Sequence, residues 1–447
     1  MTAKSATPAA LTWTGVTAQR MARHALTEPA TDLGPADIAG VLCGAHAQVL
    51  SAAELSIGRR VAGATRADVQ RALWEGRTLV KTFGPRGTIH LLATADLPMW
   101  TGALTALPPS VPVHPEGVRF TPEQADEVIA AIGDALTDTE LTVGELTEAI
   151  ADRAGPWAVE RTMDAFGDKW PRWRQLTSTA AHRGMLCFGP DRDRKATYTN
   201  PHRWLPGFRP ADGDAALRTL VTRYLYAYGP ATPQYFAKWL SIPPQYAALL
   251  FGKLGGELER VELDGEPAWA VADDTRTPPR PHRGVRLLPY FDAYVVAGQP
   301  RDRLYPGAAA SRALTPAGQA GNYPVLLVDG VVGGVWHQRR SGRKLAITVE
   351  PLRELTAPQR RQLDDEVGLV GAVMEATATL TVGTVTVPTV SVTAASMTTP
   401  TSHASSSSWR CCGAVSSRSG STVMAIVRPE RRWCHTPPTT PSTSRTG

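Results

Sequence analysis

One order of elements recurs three times in this chain and constrains the fold more than any single residue: three helices, then a two-stranded ribbon. In the first copy Pro35 opens a helix at its first turn, with Ile38, Val41 and Leu42 on the buried side. A second apolar face begins at Ala52, Leu55 and Ile57, and Thr65 caps a third helix over 66–76 in which Val69 and Leu73 face inward. The alternating runs 78–82 and 87–92, joined by Phe83-Gly84-Pro85-Arg86, make the ribbon. The second copy has helices over 122–136 (capped by Thr121), 143–153 (opened by Thr142) and 172–184. Its ribbon is 185–189 and 196–199 around the basic turn Asp191-Arg192-Asp193-Arg194-Lys195. The third copy has helices over 214–228, 232–240 and 244–254, with a ribbon of 258–263 and 267–272 around Asp264-Gly265. Three helices followed by a hairpin is winged-helix order. A further helix over 11–26, carrying Val16, Met21 and Leu26, should pack against this body.

After a Pro/Arg linker over 275–284 the periodicity turns to strands at 285–288, 325–329, 331–336, 345–349 and 376–387, interrupted by a helix over 358–366. This predicts a small β-barrel. The fold class is therefore α+β, three tandem winged-helix units followed by a small C-terminal β-barrel. The domains fall at 11–100, 119–205, 212–274 and 284–388, and 389–447 forms a Ser/Thr/Arg/Pro-rich tail without apolar period, either disordered or the product of a frameshift.

The formal charge of +6 over 447 residues invites a nucleic-acid partner, but six arginines against Glu430 beyond Thr384 supply five of those charges. The first 383 residues are left near neutral, so only local clusters argue for DNA. No Cys/His spacing suggests a metal; Cys43 and Cys187 stand in apolar contexts as small core residues. No apolar run nears 18 residues, and neither a membrane role nor a cofactor is expected.

Between the first two helices stands Gly44-Ala45-His46-Ala47-Gln48-Val49. On a regular helix residues 46 and 48 would not share a face, but at a non-helical junction both can point into one cleft. An imidazole beside a neutral amide can hold and orient a water molecule; the competing role for His46 is a helix-junction cap. The ribbon that follows reads Arg86-Gly87-Thr88-Ile89-His90.

On these two motifs, residues 36–92 resemble the first winged-helix unit of the AlkZ/YcaQ-like family of winged-helix DNA glycosylases. The family has Gln-x-Gln where this chain has His46-Ala47-Gln48, and a strand Arg-Gly-Thr-Leu-His where it has 86–90. His46 thus replaces the first Gln, and Gln48 is kept. The resemblance runs to about residue 383, where Leu287-Leu288-Pro289-Tyr290-Phe291-Asp292, Asp302-Arg303 and Val328-Asp329-Gly330 match the C-terminal region.

The resemblance implies a monofunctional DNA glycosylase excising N7- or N3-alkylated purines, with unhooking of interstrand cross-links and a role in repair or self-resistance. An alkylpurine leaves easily because it is already cationic, so support of the sugar cation and a positioned water suffice, without metal or cofactor. Gln48 would hold the water and His46, if neutral, would take its proton. The alternative is a non-catalytic winged-helix regulator, although three unlike units offer no obvious symmetric dimer interface. Backbone contacts to double-stranded DNA are expected from Arg66, Arg71, Arg77, Lys81 and Arg86 in the first unit and Arg172, Arg174, Arg192, Arg194 and Lys195 in the second. Gly87, Thr88 and His90 hold the ribbon. Trp173 and Tyr290 are candidates for stacking, Asp68 and Asp96 for caps or surface charge, and Asp292, Asp302 and Arg303 for an ion pair in the barrel. The protein is expected to act as a cytoplasmic, nucleoid-associated monomer.

Overall fold

The computed structural model describes residues 9–109, 114–164, 169–274, 281 and 283–386. The expected tail lies outside the described residues. A short strand, β1 (Ala9–Leu11), precedes α1 (Trp13–Arg23), and the first repeat follows as α2 (Pro35–Val41), β2 (Ala45–His46), α3 (Leu50–Gly58), α4 (Arg66–Trp74), β3 (Leu79–Phe83) and β4 (Ile89–Ala93). Thr65 caps α4 in a box with Asp68, as that residue pair predicts. The linking helix α5 (Leu97–Thr105) leads to the second repeat: α6 (Pro122–Ala135), β5 (Leu141–Thr142), α7 (Val143–Ala154), an inserted hairpin of β6 (Arg161–Asp164) and β7 (Lys169–Pro171), α8 (Thr177–His182), β8 (Cys187–Arg192) and β9 (Lys195–Thr199). Where one helix over 172–184 is expected, Arg172–Leu176 forms a 3-10 segment ahead of α8. The third repeat is α9 (Gly213–Tyr228), α10 (Pro233–Leu240), α11 (Pro244–Leu254), β10 (Leu258–Leu263) and β11 (Glu266–Val271).

The three copies share one pairing rule. A short extended stretch ahead of the second helix pairs with the second ribbon strand: β2 with β4, β5 with β9, and Ala231 with Trp269 of β11. One hydrophobic core runs from Ala25 to Ala297 through all three copies. Cys43 and Cys187 are buried in it.

The C-terminal region has β12 (Val285–Leu288), three short helices α12 (Ala293–Ala297), α13 (Arg301–Leu304) and α14 (Ala308–Ala313), β13 (Val325–Val328), β14 (Val331–Ser341), β15 (Lys344–Pro351), α15 (Ala357–Val373) and β16 (Thr377–Val382). The expected closed barrel is instead an open five-stranded sheet in the order β12-β13-β14-β15-β16. Helix α15, which joins the parallel strands β15 and β16, lies across one face of the sheet and fills the space that a barrel would enclose, so β12 and β16 remain separate edges. Leu326 and Val328 pack on the α15 side and Val325 and Leu327 on the side of Met21 in α1, so β13 is buried on both faces. No helix among the described residues is long and apolar enough to cross a membrane.

Candidate active site

The first repeat departs from the other two at the junction between its first two helices. In the second repeat Thr142 ends the strand and immediately caps α7, in a box with Glu145; in the third, Thr232 caps α10 directly after Ala231. In the first, three residues separate His46 from α3, whose N-cap is Val49 with no side-chain bond. Neither His46 nor Gln48 caps that helix, so the capping role for His46 is set aside.

Backbone pairing fixes the direction of these side chains. Ala45 and His46 face Leu91 and His90 across the strand pair, and the Ala47 N–H donates to the Ile89 carbonyl at 2.7 Å. Ala45 enters the core, so strand alternation turns His46 to the opposite side, and Gln48 follows two residues on, in the bend ahead of α3. Gly44 allows the close approach: its φ is +96°, and a Cβ there would lie 2.7 Å from Leu92.

His46 is walled by two rings. His90 stands edge-on at 5.1 Å between centroids and Phe291 lies tilted at 4.5 Å. The His90 Nδ1 is 2.9 Å from the Thr88 carbonyl, which fixes that nitrogen as the N–H donor and leaves Nε2 as the acceptor. A Cβ on Gly84 would stand 3.0 Å from the same Nδ1, so any larger residue at the ribbon turn would press on the His90 ring. Burial, with the Arg86 guanidinium next, pushes His90 down to about 3. Burial, then His90 and Arg86, holds His46 well below the ordinary histidine range. Both rings are neutral at physiological pH, and the buried His46 Nδ1 has no hydrogen-bond partner.

Phe291 comes from the C-terminal region and is fixed by a buried charge pair. Arg60, just past α3, donates to both Asp292 carboxylate oxygens at 2.8 and 2.9 Å, and Ser56 of α3 donates at 2.7 Å. Burial pushes the Asp292 carboxyl up, but Arg60 and the hydrogen bonds outweigh it and hold it below the usual range. Arg59 similarly meets Glu366 of α15 at 2.7 Å. Helix α3 thus registers the C-terminal region against the His46 strand. Asp292 does form an ion pair, though with Arg60 rather than the expected Arg303, which faces Asp264 at 3.5 Å. Among the described residues no group of three or more His, Cys, Asp or Glu could hold a metal.

The model of the AlkZ-like DNA glycosylases matches residues 39–373. The chain belongs to that family. It is 34% identical over 339 residues, 72% of this chain and 87% of the relative, to an interstrand DNA cross-link repair glycosylase of Streptomyces sahachiroi. Among solved structures it resembles Streptomyces sahachiroi DNA glycosylase AlkZ with a TM-score of 0.69 and 28% identity, over 84% of this chain and all of the other.

For a member of the AlkZ-like DNA glycosylases, the placement of the cations matters, and it divides the expected DNA contacts. Arg86 sits in a left-handed turn at φ 63° and donates to the Trp239 carbonyl of α10 at 2.5 Å; burial lowers it to about 10. Lys81 lies over the Phe188 ring, lowered by burial. Arg174 is buried and lies over the Trp170 ring. Arg172 donates to the carbonyls of Val118 and Arg119, and Arg66 faces the buried Glu54 at 3.3 Å. Arg77 lies over Trp204, and exposed Arg71 pairs with Asp68. The exposed cations of the second ribbon turn are Arg192, which pairs with Glu145, together with Arg194 and Lys195. Trp173 is 0% exposed, so stacking on DNA gives way to a core role with its indole on Thr147; Tyr290 is half-buried beside Phe291. Asp96 stands at the N-cap position of α5 but gives its carboxylate to Arg223 at 2.6 Å instead of to the helix.

Two features escaped the sequence reading. Phe291 stands between Tyr290 and Asp292, and nothing local distinguishes a ring that crosses to His46. The β14–β15 turn carries Arg339, Arg340, Arg343 and Lys344 within six residues, with Arg339, Arg343 and Lys344 exposed. That cluster was legible as a local charge run.

Proposed function

We propose that this chain is a monofunctional DNA glycosylase that hydrolyses the N-glycosidic bond of N7- or N3-alkylated purines, including those held in interstrand cross-links. The observation that carries the reading is the neutral, half-buried His46, turned away from the core two residues ahead of Gln48 and away from any capping duty. A neutral imidazole can accept the proton of an attacking water, and the Gln48 amide can orient that water without adding charge. The departing base is cationic, so departure needs no general acid of its own. Phe291 and His90 hold the His46 ring in place. The name of the Streptomyces relative supports cross-linked DNA as a substrate.

In this reading the three repeats are winged-helix units at 11–100, 119–205 and 212–274, with a C-terminal module over 284–388. The protein works as a cytoplasmic monomer on double-stranded DNA, gripped through Arg192, Arg194, Lys195 and Arg71. The test is abasic-site formation on duplexes carrying 7-methylguanine or an interstrand cross-link, with Gln48→Ala and His46→Ala alongside. Base release by wild type and its loss in Gln48→Ala, at unchanged DNA affinity, is the expected result. A wild type that releases no base from either duplex would leave a DNA-binding module without chemistry.

A further inference from the structure

Phe291 stands on an unusual backbone. Its φ is +55°, in the left-handed region, and among the described residues it is the one aromatic residue there. A bulky side chain rarely adopts that conformation, so its surroundings must hold it. The Phe291 N–H donates to the Gly321 carbonyl at 2.9 Å, in the loop ahead of β13. Gly321 itself lies at φ +103°, and a Cβ on it would stand 2.9 Å from the Phe291 ring. One residue on, the buried Asp292 carboxylate accepts from Arg60, Ser56 and the Tyr294 N–H. Strain that the surroundings over-determine directs attention to what the strained residue touches.

It touches His46. The two rings are tilted by 31° with centroids 4.5 Å apart, which is direct contact with no water between them. His46 is half-buried and Phe291 is 4% exposed, so the phenyl ring acts as a cover on the imidazole. From β4 His90 faces His46, and from the ribbon turn Arg86 acts on it; both oppose a positive charge there. Helix α3 carries Glu54, which is engaged by Gln70 and Arg66. The C-terminal segment brings half-buried Tyr290, and Asp292 with its carboxylate turned to Arg60 and Ser56. Among the described residues no carboxylate pairs with His46 to favour its protonated form.

We propose that Phe291 is a positioning residue for excision: delivered from the C-terminal region on a left-handed backbone, it seals one face of His46 from water and keeps that ring a neutral base. The candidate site of the first repeat is then completed by a residue more than 240 positions away. The proposal rests on His46 as the proton acceptor of the excision reading, but its test does not.

That test is an NMR titration of the histidine ring signals in the full chain, with His46→Gln identifying the His46 signal. It needs neither DNA nor turnover, so a protein that released no base would leave its result standing. In wild type the His46 signal should stay fixed from about pH 5 to 8. Phe291→Asn suits the left-handed backbone and puts a polar amide where the ring stood, so His46 should titrate near ~6.5, its unperturbed value. Phe291→Leu, apolar but without a π face, should keep the signal fixed. Should the Asn variant fail to fold, Phe291→Ala opens the same face to water. Single-turnover excision by Phe291→Asn should fall about tenfold from roughly pH 7.5 to 5.5, as for a base titrating near 6.5, while the wild-type rate stays within about twofold. The proposal is overturned by a wild-type His46 that titrates in this range, or by one that stays fixed in the Asn and Ala variants. It is overturned equally if His90 titrates along with His46, which would mark a loosened cleft and not an uncovered ring.

Discussion

The first and second repeats share an order of elements and differ at two places. At the strand-to-helix junction, Thr142 spends its side chain and backbone N–H on Glu145 in capping α7, whereas His46 and Gln48 precede an α3 that is capped by neither. At the ribbon tip, Arg86 of the first repeat is bound inside the molecule to α10, and Phe83 packs on Phe188 of the second ribbon. Arg194 and Lys195 of the second repeat face solvent. The difference is a division of labour: three extra residues before α3 place two polar side chains ahead of a helix that neither caps, and the ribbon beside them becomes internal. The tip of the second ribbon remains outside, with Arg192, Arg194 and Lys195 exposed.

The sharpest way to break this comparison is at the two junctions. Gln48→Ala should lower single-turnover release of 7-methylguanine by ~10²–10⁴, the usual range for a positioned acid–base group, at unchanged DNA affinity. His46→Gln should retain more activity than His46→Ala, because it keeps a polar group. Thr142→Ala, at the matching place in the second repeat, should cost about 1 kcal/mol of stability as a lost cap and leave excision alone. Equal rates in the Gln48→Ala and wild-type proteins would remove the distinction between the repeats.

The ribbon tips give the next largest effect. Replacing Arg192, Arg194 and Lys195 together by alanine should weaken binding to all duplex sequences alike and flatten the salt dependence by up to ~3 units of slope. Because Arg192 must leave Glu145 to reach a phosphate, a change nearer two units is expected. An unchanged slope would move the DNA contact elsewhere, with the Arg339–Lys344 turn next in line. Arg86→Ala should instead destabilise by about 1–3 kcal/mol, since it strands the Trp239 carbonyl, whereas Arg194→Ala should stay within roughly 0.5 kcal/mol in chemical denaturation.

The last contrast is a dependence on pH. Burial lowers His90 and His24 to about 3 each, so the folded state stays unprotonated there while the unfolded chain takes up protons below its ordinary histidine pKa. Stability should therefore be full above about pH 6.5 and fall by ~1.4 kcal/mol per pH unit per histidine as pH drops toward 4. Because His46 too is held low, excision should show no histidine limb near pH 6.5 among the proteins that remain folded. A limb at that pH, lost in His46→Gln, would mean that His46 is solvated and not held as described.

The sequence by itself determined the local grammar of the chain. Capping residues such as Thr65, Thr121 and Thr142, the apolar spacing of each helix and the alternation of each ribbon act within a few residues of chain, and the element order with its threefold recurrence was legible from them. The two motifs 46–48 and 86–90 stood out through their resemblance to the family's pattern. Tertiary structure alone decided what each polar group does. Arg86 and Arg194 are both basic residues in ribbon turns, yet one meets a carbonyl 153 residues away and the other meets water. Asp292 found Arg60 across 232 residues, and with it carried Phe291 to His46. The sheet stayed open, with the helix between β15 and β16 filling the face that a barrel would turn inward. Burial and long-range partners set charge state and availability, and neither is a property of the few neighbouring residues that composition and spacing describe.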